Sequence, residues 1–88
     1  MDIEKYEAMI EKSEIKRHLS QIERLIFGLQ IISIHIDNSY PLSARHDTVS
    51  CDGPAPDKST WDDDNELMML ASYGWTWDKG FDCWEFLV

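Results

Sequence analysis

The stretch Trp75-Thr76-Trp77-Asp78-Lys79-Gly80-Phe81-Asp82-Cys83-Trp84-Glu85-Phe86-Leu87-Val88 decides the fold of this chain. Aromatic and β-branched residues favour a pleated, half-buried strand. Asp78-Lys79-Gly80 has the chemistry of a three-residue hairpin turn with glycine in the left-handed position. The reading is two antiparallel strands, about 74–78 and 81–87. Trp75 and Trp77 share a face, and Trp84 on the return strand lies across from one of them. On that return strand Asp82, Trp84, Phe86 and Val88 point one way, and Phe81, Cys83, Glu85 and Leu87 the other. Neither set is cleanly apolar. Each indole offers roughly 200 Å² to bury, which favours the tryptophan face as the core. The alternative exposes at least one indole beside Asp78, Asp82 and Glu85 as a contact surface.

Working outward, a helix over about 61–73 precedes the hairpin. Thr60-Trp61-Asp62-Asp63 is a near-match to a capping box, Asp62, Asp63 and Asp64 fall in the first turn, and Leu67, Leu70 and Ala71 recur at helical spacing. Gly74 supplies the stop. Asp52-Gly53-Pro54-Ala55-Pro56 breaks regular structure. Further back, Ile15, Leu19, Ile22, Ile26 and Leu29 form one helical stripe, with Ile3, Tyr6 and Ile10 at the same spacing earlier. The two stripes are out of phase, so the N-terminal helix kinks or splits near 11–14, where Ser13 could cap a second helix over 14–27. Gly28 suits the position just past that helix's end. Ile32, Ile34 and Ile36 alternate with Ser33, His35 and Asp37, which predicts a strand over 30–37; a helix continuing through Ile36 is the rival. Residues 38–60 form a loop-rich connection unless 45–51 pairs back as a further strand. The fold class is α+β: one small two-layer domain over 1–88, with helices on an antiparallel sheet.

Charge is distributed unevenly. The 88 residues carry a formal −9. Residues 1–45 hold six bases against seven acids, whereas residues 46–88 hold two bases (Lys58, Lys79) against ten acids. All four tryptophans lie in the acidic half. Such a surface repels nucleic acid and anionic lipid and attracts a basic partner. Direct nucleic-acid binding is disfavoured, because no basic stripe runs among the aromatics.

Other classes are excluded on chemistry. The run Asp62-Asp63-Asp64-Asn65-Glu66 lacks the glycine that a calcium loop needs, since Leu67 takes that place. His18, His35, His46, Cys51 and Cys83 have no zinc spacing, so no metal and no cofactor are expected. No nucleophile elbow, phosphate loop or dinucleotide motif occurs, and both cysteines sit among acids that suppress a thiolate. An enzyme is not expected. Two free thiols are favoured over one disulfide. The charged opening Met1-Asp2-Ile3-Glu4-Lys5 has no apolar signal core, and the apolar run from Leu25 to Ile36 is too short and interrupted to span a bilayer, so no membrane association is expected and the cytosol is the expected compartment.

The function this implies is a small acidic inhibitor that blocks a basic nucleic-acid-handling protein by presenting carboxylates where phosphates would sit. In composition, though not in any motif, the chain resembles bacterial immunity proteins against nuclease toxins and phage-encoded inhibitors of host defence. The candidate partner-binding residues are Trp61, as the exposed aromatic, with Asp62, Asp63, Asp64, Glu66, Asp78 and Asp82, and with Asp52 and Asp57 on a flexible approach. The alternative is a non-inhibitory interaction or assembly module working through the N-terminal amphipathic helix, including a homodimer.

Overall fold

The computed structural model describes residues 1–12, 15–36, 42–45, 47–61 and 64–87. Three helices and a four-stranded antiparallel sheet follow one another as α1 (Ile3–Lys12), α2 (Gln21–Ile34), β1 (Leu42–Arg45), β2 (Thr48–Cys51), α3 (Asp64–Tyr73), β3 (Trp75–Asp78) and β4 (Cys83–Leu87). The α+β reading and the C-terminal hairpin hold, and α3 ends at Gly74, whose φ of 95° suits glycine. In the hairpin turn, however, it is Asp82, with φ 51°, that takes the left-handed conformation, and not Gly80. Asparagine and aspartate are the side-chain-bearing residues that tolerate it best.

Of the kink and the split that the phase change allows, the N-terminal segment takes the split. The second helix starts at Gln21, later than expected. Its cap is Ser20: the Glu23 N–H donates to Ser20 Oγ (3.1 Å) and the Ser20 N–H donates to Glu23 Oε1 (2.9 Å). This reciprocal box satisfies two otherwise free amides and holds the Glu23 carboxyl below its usual range. Ser13 lies outside the described residues.

Within the predicted strand over 30–37, residues 30–34 are helix instead, and Asp37 lies outside the described residues. α2 runs through Gly28 to Ile34, and His35 forms its C-cap, with its N–H donating to Ile32 O. Gly28 is therefore no terminator. It is buried in the helix, and a Cβ placed there would stand 1.9 Å from Trp75 Nε1. Glycine lets the α2 backbone lie against the Trp75 indole, whose Nε1–H donates to Arg24 O at 3.3 Å. That contact sets the helix's rotation. The side carrying Gly28 and Ile32 faces inward, while Ile22 and Ile26 of the expected core stripe turn to solvent.

The strand order is β1-β2-β4-β3. The possible strand over 45–51 is a hairpin, β1 with β2, and β2 then pairs with β4. Directly opposed residues of antiparallel strands share a face. Two rows therefore point inward: Leu42, Cys51, Trp84 and Trp77, then Ala44, Val49, Phe86 and Trp75. Tyr6, Ile32, Leu67, Leu70 and Ala71 from the helices close over the aromatic part of these rows. Trp84 is the hub, with ring centroids 5.3 Å from Tyr6, 5.8 Å from Trp61 and 5.4 Å from Trp77, all edge-on. Each such pair adds about 0.5–1.5 kcal/mol beyond area burial. The tryptophan face is the core.

Candidate docking surface

The opposite sheet face is built by the alternate residues. Ser43, Ser50, Glu85 and Thr76 form one row, Arg45, Thr48 and Leu87 a second, and Asp78 with Cys83 a third. The core helices lie against the other face, and among the described residues no helix covers this one. It holds a depression of about 390 Å³ lined by Arg45, Ser50, Asp52, Asp78, Phe81 and Glu85, among others. Phe81, in the β3–β4 turn, is 83% exposed. Asp78 Oδ1 accepts the Gly80 N–H at 2.8 Å, which fixes the turn that carries Phe81. Among the described residues, Asp52, Asp78 and Glu85 form no ion pair with Arg45 or any lysine.

Cys83 lies in this depression and reports its field. Burial, then Asp78, Glu85 and Asp52, push its thiol above the ordinary range, although Ser50 lowers it slightly by a hydrogen bond. Cys51 is likewise raised, by burial first and then by Asp52. A thiol raised this way is a poor nucleophile at neutral pH. Both cysteines are free, and the register puts Cys51 on the inner face and Cys83 on the outer. Three carboxylates, one guanidinium and an exposed ring suit the capture of a cationic surface.

The remaining predicted residues fall elsewhere. Trp61 is not exposed: it is 7% accessible, and its Nε1–H donates to Ala55 O (2.9 Å) and Pro54 O (3.3 Å). Trp84 Nε1–H donates to the same Pro54 carbonyl at 3.0 Å. Two indoles thus pin the segment after Asp52, in which Ala55 and Pro56 are buried, so Asp52 and Asp57 flank an anchored segment and not a flexible approach. Asp57 and Asp82 line a separate cleft of about 600 Å³ with His35, Lys58 and Trp77.

At the start of α3, Asp64 lies 3.8 Å from the Met1 ammonium. Glu66 stands 3.2 Å from His35 Nε2 through both of its oxygens, and the His35 ring packs on Trp61 at 4.1 Å. His35, expected on the polar face of a strand, therefore ties the end of α2 to α3. Asp62 and Asp63 lie outside the described residues. Of the nine predicted residues, Asp52 and Asp78 meet in the outer-face depression. Glu85, expected only in the alternative contact surface beside an exposed indole, joins them there, and so does Phe81, which was missed as a site residue. The signal for Glu85 was available, since it points away from Trp84 and Phe86.

Among the described residues no cluster of three or more histidine, cysteine, aspartate or glutamate side chains could hold a metal ion, and no helix is long and apolar enough to cross a membrane. No protein-family model matches this chain, and no curated protein or solved structure matches it.

Proposed function

We propose that this protein binds a basic protein partner through the open outer face of its sheet, and that it acts as an inhibitor of a nucleic-acid-handling protein. The observation that carries the reading is the gathering of Asp52, Asp78 and Glu85 around one open depression, without lysine or arginine partners among the described residues, beside the exposed Phe81 ring. Carboxylates so placed offer a phosphate-binding surface the charge it evolved to hold, and the −8 half of the chain steers the encounter. Phe81 takes the anchoring role expected of Trp61. The buried indoles serve the reading indirectly, by making the sheet a rigid platform. Two free thiols on opposite faces suit a reducing compartment, and the cytosol is the setting we propose.

The experiment is capture from lysate of the source cells on the immobilised protein at about 50 mM salt, where surface electrostatics are strong. The bound proteins are challenged first with duplex DNA and then with 500 mM salt. The reading expects basic nucleic-acid-binding proteins, displaced by both challenges and lost with Asp52→Asn/Asp78→Asn/Glu85→Gln. Recovery of acidic partners, or capture unaffected by that variant, contradicts it.

A further inference from the structure

The cleft of about 600 Å³ that Asp57 and Asp82 share has walls held in place by the core. One wall is the segment after Gly53, whose Pro54 carbonyl accepts from the indoles of Trp61 and Trp84. The other brings together Ile3 of α1, Trp77 of β3 and His35, whose Nε2 is engaged by Glu66. Clefts of about 300–1,000 Å³ with an apolar lining and a few placed polar groups are the usual form of small-ligand sites.

Trp77 sets this cleft apart from an ordinary crevice. Trp61, Trp75 and Trp84 each donate the indole N–H to a backbone carbonyl. Trp77 is also buried, at 7% exposure, but its Nε1–H has no acceptor among the described residues. A buried donor without an acceptor is costly and uncommon. In the same lining the exposed Asp57, Lys58 and Asp82 form no ion pair among the described residues.

We infer that this cleft binds an α-aminoacyl group with an apolar side chain, as a free amino acid or as the N-terminal residue of a peptide. An apolar molecule or a simple amine brings no acceptor to the Trp77 N–H. A simple anion brings one but meets two carboxylates against a single ammonium. A molecule that joins an ammonium to a carbonyl or carboxylate oxygen answers both demands. Its oxygen accepts from Trp77 Nε1, and its ammonium lies with Asp57 and Asp82. Ile3, Pro54 and Ala55 give the side chain an apolar wall. The inference does not rest on the docking function, since Asp52, Asp78 and Glu85 line the other depression and not this cleft.

The test is a titration of the full, ¹⁵N-labelled chain at neutral pH with L-leucine and, separately, with leucyl-glycyl-glycine. The readout is the Trp77 indole N–H signal, identified by its loss in Trp77→Phe. A saturable downfield shift is expected, with a Kd of about 1–10 mM for ligands this small. The indole signals of Trp61, Trp75 and Trp84, already hydrogen-bonded, are expected to move less. A response to leucine alone assigns the free amino acid, to the tripeptide alone the peptide end, and to both the shared group. Isopentylamine lacks the oxygen and N-acetylleucine lacks the ammonium, so each is expected to bind about tenfold more weakly.

Asp57→Asn/Asp82→Asn is expected to weaken binding to a similar degree with the fold intact, because both side chains are exposed and asparagine tolerates the left-handed backbone at 82. Asp52→Asn/Asp78→Asn/Glu85→Gln is expected to bind as the wild type does, which separates this site from the docking face. No saturable Trp77 shift with either ligand up to about 50 mM overturns the inference. So does isopentylamine or N-acetylleucine binding as tightly as leucine, or unchanged binding by Asp57→Asn/Asp82→Asn.

Discussion

Gly28→Ala isolates the contact on which the arrangement of helices over sheet depends. On an open helix this substitution stabilises by about 1 kcal/mol, because alanine is the better helix former. Here the new Cβ would lie 1.9 Å from Trp75 Nε1 and 2.2 Å from its Cδ1. Favourable contact begins near ~3.5 Å, so indole and helix must part by about 1.6 Å. Trp75 has no exposed surface to move into, and separation stretches its 3.3 Å hydrogen bond to Arg24 O. Overpacking of this kind costs ~1–3 kcal/mol and the lost bond about 1. After the propensity gain is subtracted, the expected outcome is a loss of about 2 kcal/mol. For a domain of this size that is a fall in Tm of roughly 8–16 °C.

The assay is thermal and urea unfolding followed by far-ultraviolet circular dichroism and tryptophan fluorescence. A double-mutant cycle with Trp75→Phe adds a second arm. The smaller ring leaves room for the methyl group, so the double variant should be at least 1 kcal/mol more stable than the two single losses predict. A helix ending at Gly28 with a left-handed residue would instead tolerate Gly28→Asn better than Gly28→Ala. In this fold the bulkier asparagine is the worse of the two. Gly28→Ala as stable as wild type, or an additive cycle, refutes the reasoning.

Other outcomes follow from the same packing. Stability should fall at alkaline pH: burial raises the Tyr6 hydroxyl above its ordinary 10.0 and the Cys51 and Cys83 thiols above 9.0. The folded state holds these groups protonated while the unfolded chain ionises, so their contribution is complete below about pH 9 and is lost as pH rises beyond it. Urea midpoints under reductant between pH 7 and 11 check this; Tyr6→Phe should flatten the fall above pH 10, and a level profile to pH 11 would contradict it. Trp61→Phe removes the donor to Pro54 and Ala55 and should cost ~1–2 kcal/mol in the same unfolding assay. Phe81→Ala, at an exposed turn, should change stability by no more than ~0.5 kcal/mol yet weaken partner binding about tenfold, read by titration calorimetry.

Local patterns were legible in the sequence: the aromatic hairpin, the Gly74 stop of α3 and the break between the first two helices each depend on neighbours a few residues apart. The end of α2 was not. A helix apolar on nearly all sides lacks a clear 3.6-residue period, so the alternation of Ile32, Ile34 and Ile36 stood out as strand-like. The role of Gly28 depends on Trp75, far along the chain, and no local signal carries it. Likewise Trp61 sits beside an aspartate run, which suggested exposure, but its place is fixed by the Pro54 and Ala55 carbonyls. Asp52 and Asp78 were readable as acids in the right half. Placing Glu85 with them required knowing which face of β4 the helices cover.

The central claim is that the uncovered sheet face, and not the start of α3, receives cationic partners. Its most direct test is an amide NMR titration of the isotope-labelled protein with an octa-arginine peptide at low salt. The account predicts shift changes centred on Ser50, Asp78, Phe81 and Glu85 that disappear at 500 mM salt. Changes concentrated at Asp64 and Glu66, or spread evenly over the molecule, would contradict it.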